Sequence, residues 1–243
     1  MKYFFMLLTI LSSVLFNAQK NALPKKTAAV TKLNPNFIKV NDSVADLIPQ
    51  KMAGKFGFIN QAGKIIIKHE YSNVGFFARD CNLQNSPNKK VQQFGSDQYA
   101  SVRLNGSDYR INKAGKRVYH FKESDLGKCA PEYKAQLFHA YIMNGAYGII
   151  EDSKFENPGD YRQFTIYPQY DYLHIMEGDD LHNPMIIASY RNRFGVIDIH
   201  NKVIIPFEYS DIKRNFSWKL ARLFEVTKDG INYFYVDGNN HGY

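Results

Sequence analysis

An all-β fold of tandem antiparallel hairpins is what this sequence predicts, and three observations carry the prediction. Residues 193–209, RFGVIDIHNKVIIPFEY, restate a pattern that residues 55–71 spell as KFGFINQAGKIIIKHEY. From Phe37 onward, short apolar runs are punctuated by Gly, Asn, Asp and Pro, and none sustains a helical period. Aromatic and β-branched residues, which fit a pleated, half-buried surface, fill those runs.

Taken in order, the chain begins with Lys2 ahead of an apolar run over residues 3–16 and a small residue, Ala18, at a suitable cleavage point. Residues 1–18 therefore read as a secretory signal peptide. The run is shorter than the roughly 20 apolar residues a membrane anchor needs. No second hydrophobic span follows, and no Cys stands just after Ala18. The expectation is an exported protein, secreted or periplasmic, with no membrane span after cleavage. Residues 19–36 are polar and basic, with Pro24 and Pro35, and read as a flexible leader. Residues 37–243 form the expected β-repeat domain.

The formal charge is +8, and removing residues 1–18 takes away only Lys2, leaving +7. Such a surface attracts anions, but its basic residues are scattered, with Lys25-Lys26 and Lys89-Lys90 the densest pairs. That pattern fits ordinary solvation and leaves no nucleic-acid footprint.

Alignment on the turn gives five copies, anchored at Asn60, Asn112, Glu151, Asp198 and Asp237, at spacings of 39 to 52 residues. Periods of that size mean propeller blades or solenoid turns. At four anchors Asn or Asp supplies a side-chain acceptor for the turn amides. Gly63, Gly115, Asn201 and Asn240 then occupy the position that requires positive φ. In the copy at Glu151 the turn is opened by an insertion, residues 152–160. Continuous apolar runs such as Ile65-Ile66-Ile67 imply strands covered on both faces. Gly57, Gly148 and Gly195 directly follow an aromatic and mark a bulge or a surface over which a neighbouring ring lies. Further strands are expected at residues 99–104, 139–143, 185–188 and 223–226, ahead of the copies.

Gly54-Lys55-Phe56-Gly57-Phe58-Ile59-Asn60 and Val203-Ile204-Ile205-Pro206-Phe207-Glu208-Tyr209 resemble WG repeats, also called KWG repeats. The resemblance extends over about residues 45–243, with the first and fourth copies the strongest. The signature Trp is replaced by Phe56, Tyr147 and Phe194, and Asp108-Tyr109 stands where aromatic-Gly is expected. The resemblance implies an all-β repeat domain without a common enzymatic activity and without catalytic residues to carry over. A small propeller-like assembly is favoured over an open β-superhelix. The last copy stops soon after Asp237 while residues 37–53 supply a strand or two before the first hairpin, so N-terminal strands completing the last unit would close a ring. In a solenoid those segments would be end caps.

Cys81 and Cys129 either form a disulfide, whose loop of roughly 50 residues would add about 4 kcal/mol, or stand as two buried thiols. Residues 171–182 gather Asp171, His174, Glu177, Asp179, Asp180 and His182. Mixed oxygen and nitrogen ligands of that kind suit zinc, and two such carboxylates across a cleft would serve glycoside hydrolysis. Neither HExxH nor a calcium-loop spacing is present, so a solvated turn is the stronger reading. No Gly-x-Ser-x-Gly occurs, no Gly-rich loop opens a helix, and neither Cys has a catalytic neighbourhood. The expectation is a non-enzymatic, monomeric binding or scaffold module without cofactor, whose partner is a protein or polysaccharide of the cell envelope. An envelope hydrolase or metal-dependent enzyme using Asp171 to His182 is the alternative. The insertions at residues 81–93 and 152–160 are candidate recognition loops.

Overall fold

A computed structural model describes residues 43–130, 136–156, 159–176 and 180–243, all within the second of the chain's two units, Pro35–Tyr243. The expected signal peptide and leader lie outside the described residues. The rest is built of antiparallel strands in five small sheets. Sheet I holds β1 (Leu47–Met52), β2 (Lys55–Asn60) and β3 (Ile65–Tyr71); sheet II holds β4 (Asn73–Phe77), β5 (Tyr99–Leu104), β6 (Ser107–Asn112) and β7 (Arg117–His120). Sheet III holds β8 (Phe138–Met143), β9 (Ala146–Glu151) and β10 (Phe164–Tyr170); sheet IV holds β11 (Tyr172–Ile175), β12 (Ile186–Tyr190), β13 (Arg193–Ile197) and β14 (Val203–Tyr209). Sheet V holds β15 (Asp211–Ile212), β16 (Leu223–Thr227) and β17 (Tyr233–Asp237). The all-β repeat fold read from the sequence is borne out.

The anchored turns are built as their residues dictate. Asn60 Oδ1 accepts the amides of Ala62 (3.1 Å) and Lys64 (2.9 Å), and Asp198 Oδ1 those of His200 and Lys202 (both 2.9 Å). Asn112 and Asp237 repeat the arrangement. The position of positive φ falls on Gly63 (75°), Gly115 (78°), Asn201 (62°) and Asn240 (61°). At the opposite end of four sheets, two-residue turns join strands with both residues at positive φ: Ala53-Gly54, Asn105-Gly106, Asn144-Gly145 and Arg191-Asn192. Gly195 faces β14 so closely that a Cβ would stand 2.6 Å from Ile205 O, and the register shifts there as expected for a bulge.

Strand alternation sends neighbouring residues to different sheets. On β1 and β2, Leu47 and Phe58 pack with Ala100, Val102 and Ile111 of sheet II, whereas Ile48 and Ile59 pack with Ala221 and Leu223 beside sheet V. On β12, Ile186 faces sheet III and Ile187 faces sheet V. The outer strand β3 departs from the expectation of two covered faces. Ile65 and Ile66 are 47% and 42% exposed and only Ile67 is buried, because β3 begins at the sheet edge.

Successive sheets are linked by one recurring step. β3, β10 and β14 each end on a buried Tyr, at 71, 170 and 209, and the next residue carries the chain into the next sheet. The amides of Ser72, Asp171 and Ser210 donate to Arg103 O, Ser189 O and Thr227 O at 2.8–2.9 Å, all carbonyls of that next sheet. Tyr170 Oη and Tyr209 Oη each donate to the positive-φ asparagine of the following sheet's turn, Asn201 and Asn240, at 2.6 Å.

Sheets II and III lack this step. After β7, Phe121 N donates back into its own sheet, to Asp108 O (3.0 Å), and among the described residues none of the four buried clusters draws on both sheets. Each facing surface is covered instead by an insertion. Over sheet II lie α1 (Cys81–Gln84) and α2 (Lys89–Gln92), organised around the buried Arg110. Its Nε donates to Phe94 O (2.9 Å), Nη1 to Ser101 Oγ (3.0 Å), and Nη2 to Ala78 O and Ser96 O (both 2.9 Å). Burial pulls its pKa down to about 10. Cys81 and Cys129 are disulfide-bonded, with Cα atoms 5.5 Å apart, which ties this insertion to the segment after β7. Over sheet III, Phe155 stacks on Tyr141 (4.9 Å) and Asp152 pairs with His139. Both insertions thus cover sheet faces.

The expected completion of the last unit by N-terminal strands takes a different form. β1 pairs with β2, and sheet V is not extended by it. The first and last sheets meet through side chains, and beside them Ala45 N, ahead of β1, donates to Ala221 O, ahead of β16 (3.1 Å). The turn Ala53-Gly54 commits one edge of β1 to its own hairpin, and it is the face of the strand, through Ile48, that packs against sheet V.

Two predictions follow from this packing. Burial first, and Glu70 or Glu208 second, raise the Tyr71 and Tyr209 hydroxyls from 10.0 to about 12. A raised folded value means stability is complete below the unfolded pKa and lost as pH rises through the folded one. Urea midpoints are expected to hold to pH 9 or so, then fall between about pH 10 and 12. The fall should be shallower in Tyr71→Phe/Tyr209→Phe. Replacing Cys81 and Cys129 by Ser is expected to lower unfolding free energy by about 2–4 kcal/mol, measured by chemical denaturation, with reductant matching the effect in the parent.

Candidate binding cleft

Between β15 and β16 the chain leaves the repeat frame as Asn215-Phe216-Ser217-Trp218-Lys219-Leu220-Ala221-Arg222. Asn215 Oδ1 accepts the Ser217 amide (3.1 Å), starting the short helix α3 (Ser217–Ala221). Arg222, at φ 55°, ends it, its amide bonded to Trp218 O (2.9 Å). The turn fixes Trp218, the chain's sole tryptophan. Its indole stacks on Phe224 (4.5 Å, 11°), and the Arg222 guanidinium lies over the ring at 4.9 Å.

Trp218 forms one wall of a cleft of about 430 Å³, within the roughly 300–1,000 Å³ common for small-molecule sites. Asp237, Gly238 and Asn239 of the last turn form a second wall, and Asp180, Asn183 and Met185, leading into β12, a third. Ser43 and Val44 close it ahead of β1, with Val44 O held by Gln61 Nε2 (2.9 Å). The cleft therefore lies where sheets I, IV and V converge. Two of the lining residues hold buried atoms without a hydrogen-bond partner, the donor Trp218 Nε1 and the acceptor Asn183 Oδ1. Such orphaned atoms are uncommon in a folded protein.

The acidic and histidine segment is not gathered into one site. Asp171 Oδ2 accepts the Asn192 amide (3.3 Å), while Asp180 Oδ1 accepts the amides of His182 (2.9 Å) and Asn183 (3.1 Å). Glu177 and Asp179 lie outside the described residues. Among the described residues, no three of His, Cys, Asp and Glu form a group that would hold a metal ion. Asp180 does reach the cleft, as does Asp237, whose Oδ1 accepts the amides of Asn239 (2.8 Å) and His241 (3.0 Å) and whose Oδ2 accepts Tyr243 Oη (3.3 Å). Both carboxylates thus hold the walls in shape.

Reading the sequence by its repeat passed over Trp218 and Arg222. The available signal was the lone Trp itself, standing outside every signature position. Since Trp218 Nε1 has no partner to lose, Trp218→Phe is expected to change stability by less than about 1 kcal/mol, against a loss of about 3 kcal/mol for Trp218→Ala, both read by urea denaturation.

The sequence model for the WG-containing repeat matches residues 56–81 and 194–222. Each match starts on the half-buried aromatic of one sheet, crosses the buried-Tyr step and ends in the insertion of the next sheet. No curated protein and no solved structure matches the chain. The unit that joins sheet I to sheet II and sheet IV to sheet V is thus matched by the WG-containing repeat, in the first and fourth copies.

Proposed function

We propose that this WG-repeat protein is an exported, non-enzymatic binding module whose partner is a protein or polysaccharide of the cell envelope. The observation that carries the reading is the cleft of about 430 Å³, of small-ligand size, two of whose lining residues hold buried polar atoms without a partner, the donor Trp218 Nε1 and the acceptor Asn183 Oδ1. A hydroxyl or an amide, which both donates and accepts, complements such a pair, and these are the groups that sugars and peptides present. The cleft's carboxylates already serve the turns that shape it, which favours holding a ligand over transforming one. The repeat sheets supply a rigid frame for the walls. Export rests on the apolar run ahead of Ala18.

Because Trp218 is the only tryptophan, its emission reports on the cleft directly. Titration of the chain from Gln19 with envelope glycan fragments and peptides is expected to shift Trp emission saturably for one ligand class. Asn183→Ala should weaken that response about tenfold, the loss of one buried hydrogen bond. A ligand that binds saturably without moving Trp emission, and is indifferent to Asn183→Ala, would place binding elsewhere; no saturable ligand in either class would remove the reading.

A further inference from the structure

At the end of each sheet opposite the anchored turns, one aromatic recurs: Phe56, Tyr109, Tyr147, Phe194 and Tyr233, all half-buried. A basic group lies over four of these rings. Lys51 Nζ is 5.6 Å from the Phe56 centroid, Arg117 5.4 Å from Tyr109, Arg214 5.8 Å from Phe194 and Lys213 3.9 Å from Tyr233. The cations come from β1, from β7 and from the segment after β15, so the pairing recurs without a shared sequence position.

The array is continuous across sheets III to V. Tyr147 meets Tyr172 (6.3 Å), Tyr172 meets Phe194 (6.1 Å), and Arg214 covers both Tyr172 (4.7 Å) and Phe194. Arg214 Nε donates to Tyr172 Oη (2.7 Å) and Nη1 lies 3.8 Å from Asp211. Beside it, Lys213 sits over Tyr233, whose hydroxyl donates to Asp211 (2.7 Å). The neighbouring tip of sheet IV adds the exposed Arg191, over Tyr190 at 5.1 Å, and Arg193. Three carboxylates share this end, Asp171, Asp211 and Asp229, and all already accept hydrogen bonds. Four cations therefore stand against three engaged carboxylates.

A ring beneath a long basic side chain restricts it before any ligand arrives, so less ordering is required on binding. Arg214 carries five N–H donors, and the contacts above occupy two nitrogens. Single-stranded nucleic acid is gripped by stacking bases on open rings, but here the cations cover the rings. Recognition at this end thus runs through acidic groups.

We propose that this end of sheets IV and V binds an acidic polysaccharide, a polymer of uronate sugars, through Lys213 and Arg214, with Arg191 and Arg193 flanking them. The inference deepens the polysaccharide reading above and rests on it for the ligand class only, since Tyr233 and the cleft residue Asp237 stand at opposite ends of β17.

The test is titration of the full chain with polygalacturonate, in about 50 mM and about 500 mM NaCl, against dextran and an oligothymidylate of matched charge. Polygalacturonate is expected to bind, at least tenfold more weakly at the higher salt, and dextran not to bind. Lys213→Gln/Arg214→Gln should weaken binding at least tenfold. Arg191→Gln/Arg193→Gln, which leaves the Tyr172 and Phe194 contacts in place, should weaken it at least threefold. Absence of polygalacturonate binding, indifference to both double variants, or tighter binding of the oligothymidylate would each overturn the proposal. A Trp218 emission response to some other ligand, kept in both variants, would show that the cleft reading stands even if this one falls.

Discussion

Where β3, β10 and β14 end, the amide of the next residue leaves its own sheet and donates to a carbonyl of the following one, and the packing of the molecule depends on that step. The tyrosine before it is buried between the two sheets. Its ring supplies apolar area, and at Tyr170 and Tyr209 its hydroxyl seizes the asparagine that sits at positive φ in the next turn. Turn geometry, strand direction and sheet-to-sheet distance are thereby fixed together. A small residue at the step, Ser72 or Ser210, adds a second bond, from its hydroxyl to the same carbonyl. This explains why the aromatic-Gly hairpin and the closing Tyr travel as one unit of sequence.

The single place without the step shows what it accomplishes. His120 and Phe121 stand where Tyr and Ser or Asp are found elsewhere, and the chain turns back instead of crossing. Two sheet faces are then left without neighbours, and each acquires its own cover. Sheet II uses a buried guanidinium that gathers backbone carbonyls from the insertion, stapled by a disulfide; sheet III uses stacked rings. A cation serves the first cover well because the insertion's short helical pieces leave carbonyls pointing inward, and Arg110 has donors enough for several of them.

Much of this was legible in the residues. Short apolar runs, the Asn or Asp acceptor and the positive-φ Gly or Asn give the hairpins, because each is enforced within a few residues. The two-residue turns were equally local, Asn105-Gly106 and Asn144-Gly145 being strong hairpin signals. What was not legible depends on distant partners. Arg110 looks like any strand arginine until the carbonyls of Ala78 and Ser96 surround it. Ile65 and Ile67 are the same residue type in one run, yet only one meets a neighbouring sheet. The Trp218 cleft needs three sheets to converge, and the acidic segment that drew attention in one dimension is dispersed in three. Of that segment, Asp180 alone reaches the cleft among the described residues.

The meeting of sheets I and V has a topological consequence. Sheets adjacent in space run III, IV, V, I, II, whereas in sequence they run I to V, so the covalent order and the packing order are circular permutations of one another. The connection spanning residues 121–137 bridges the one pair of sheets without a shared core, and residues 43 and 239 border the same cleft. Contacts between sheet I and sheet V join residues more than 160 positions apart, such as Ile59 and Leu223. Loop-closure entropy places such contacts late in folding. A chain reopened in the 131–135 segment and spliced between residues 243 and 43 would turn the longest-range interface into a local one, leaving every packed face with its present neighbour.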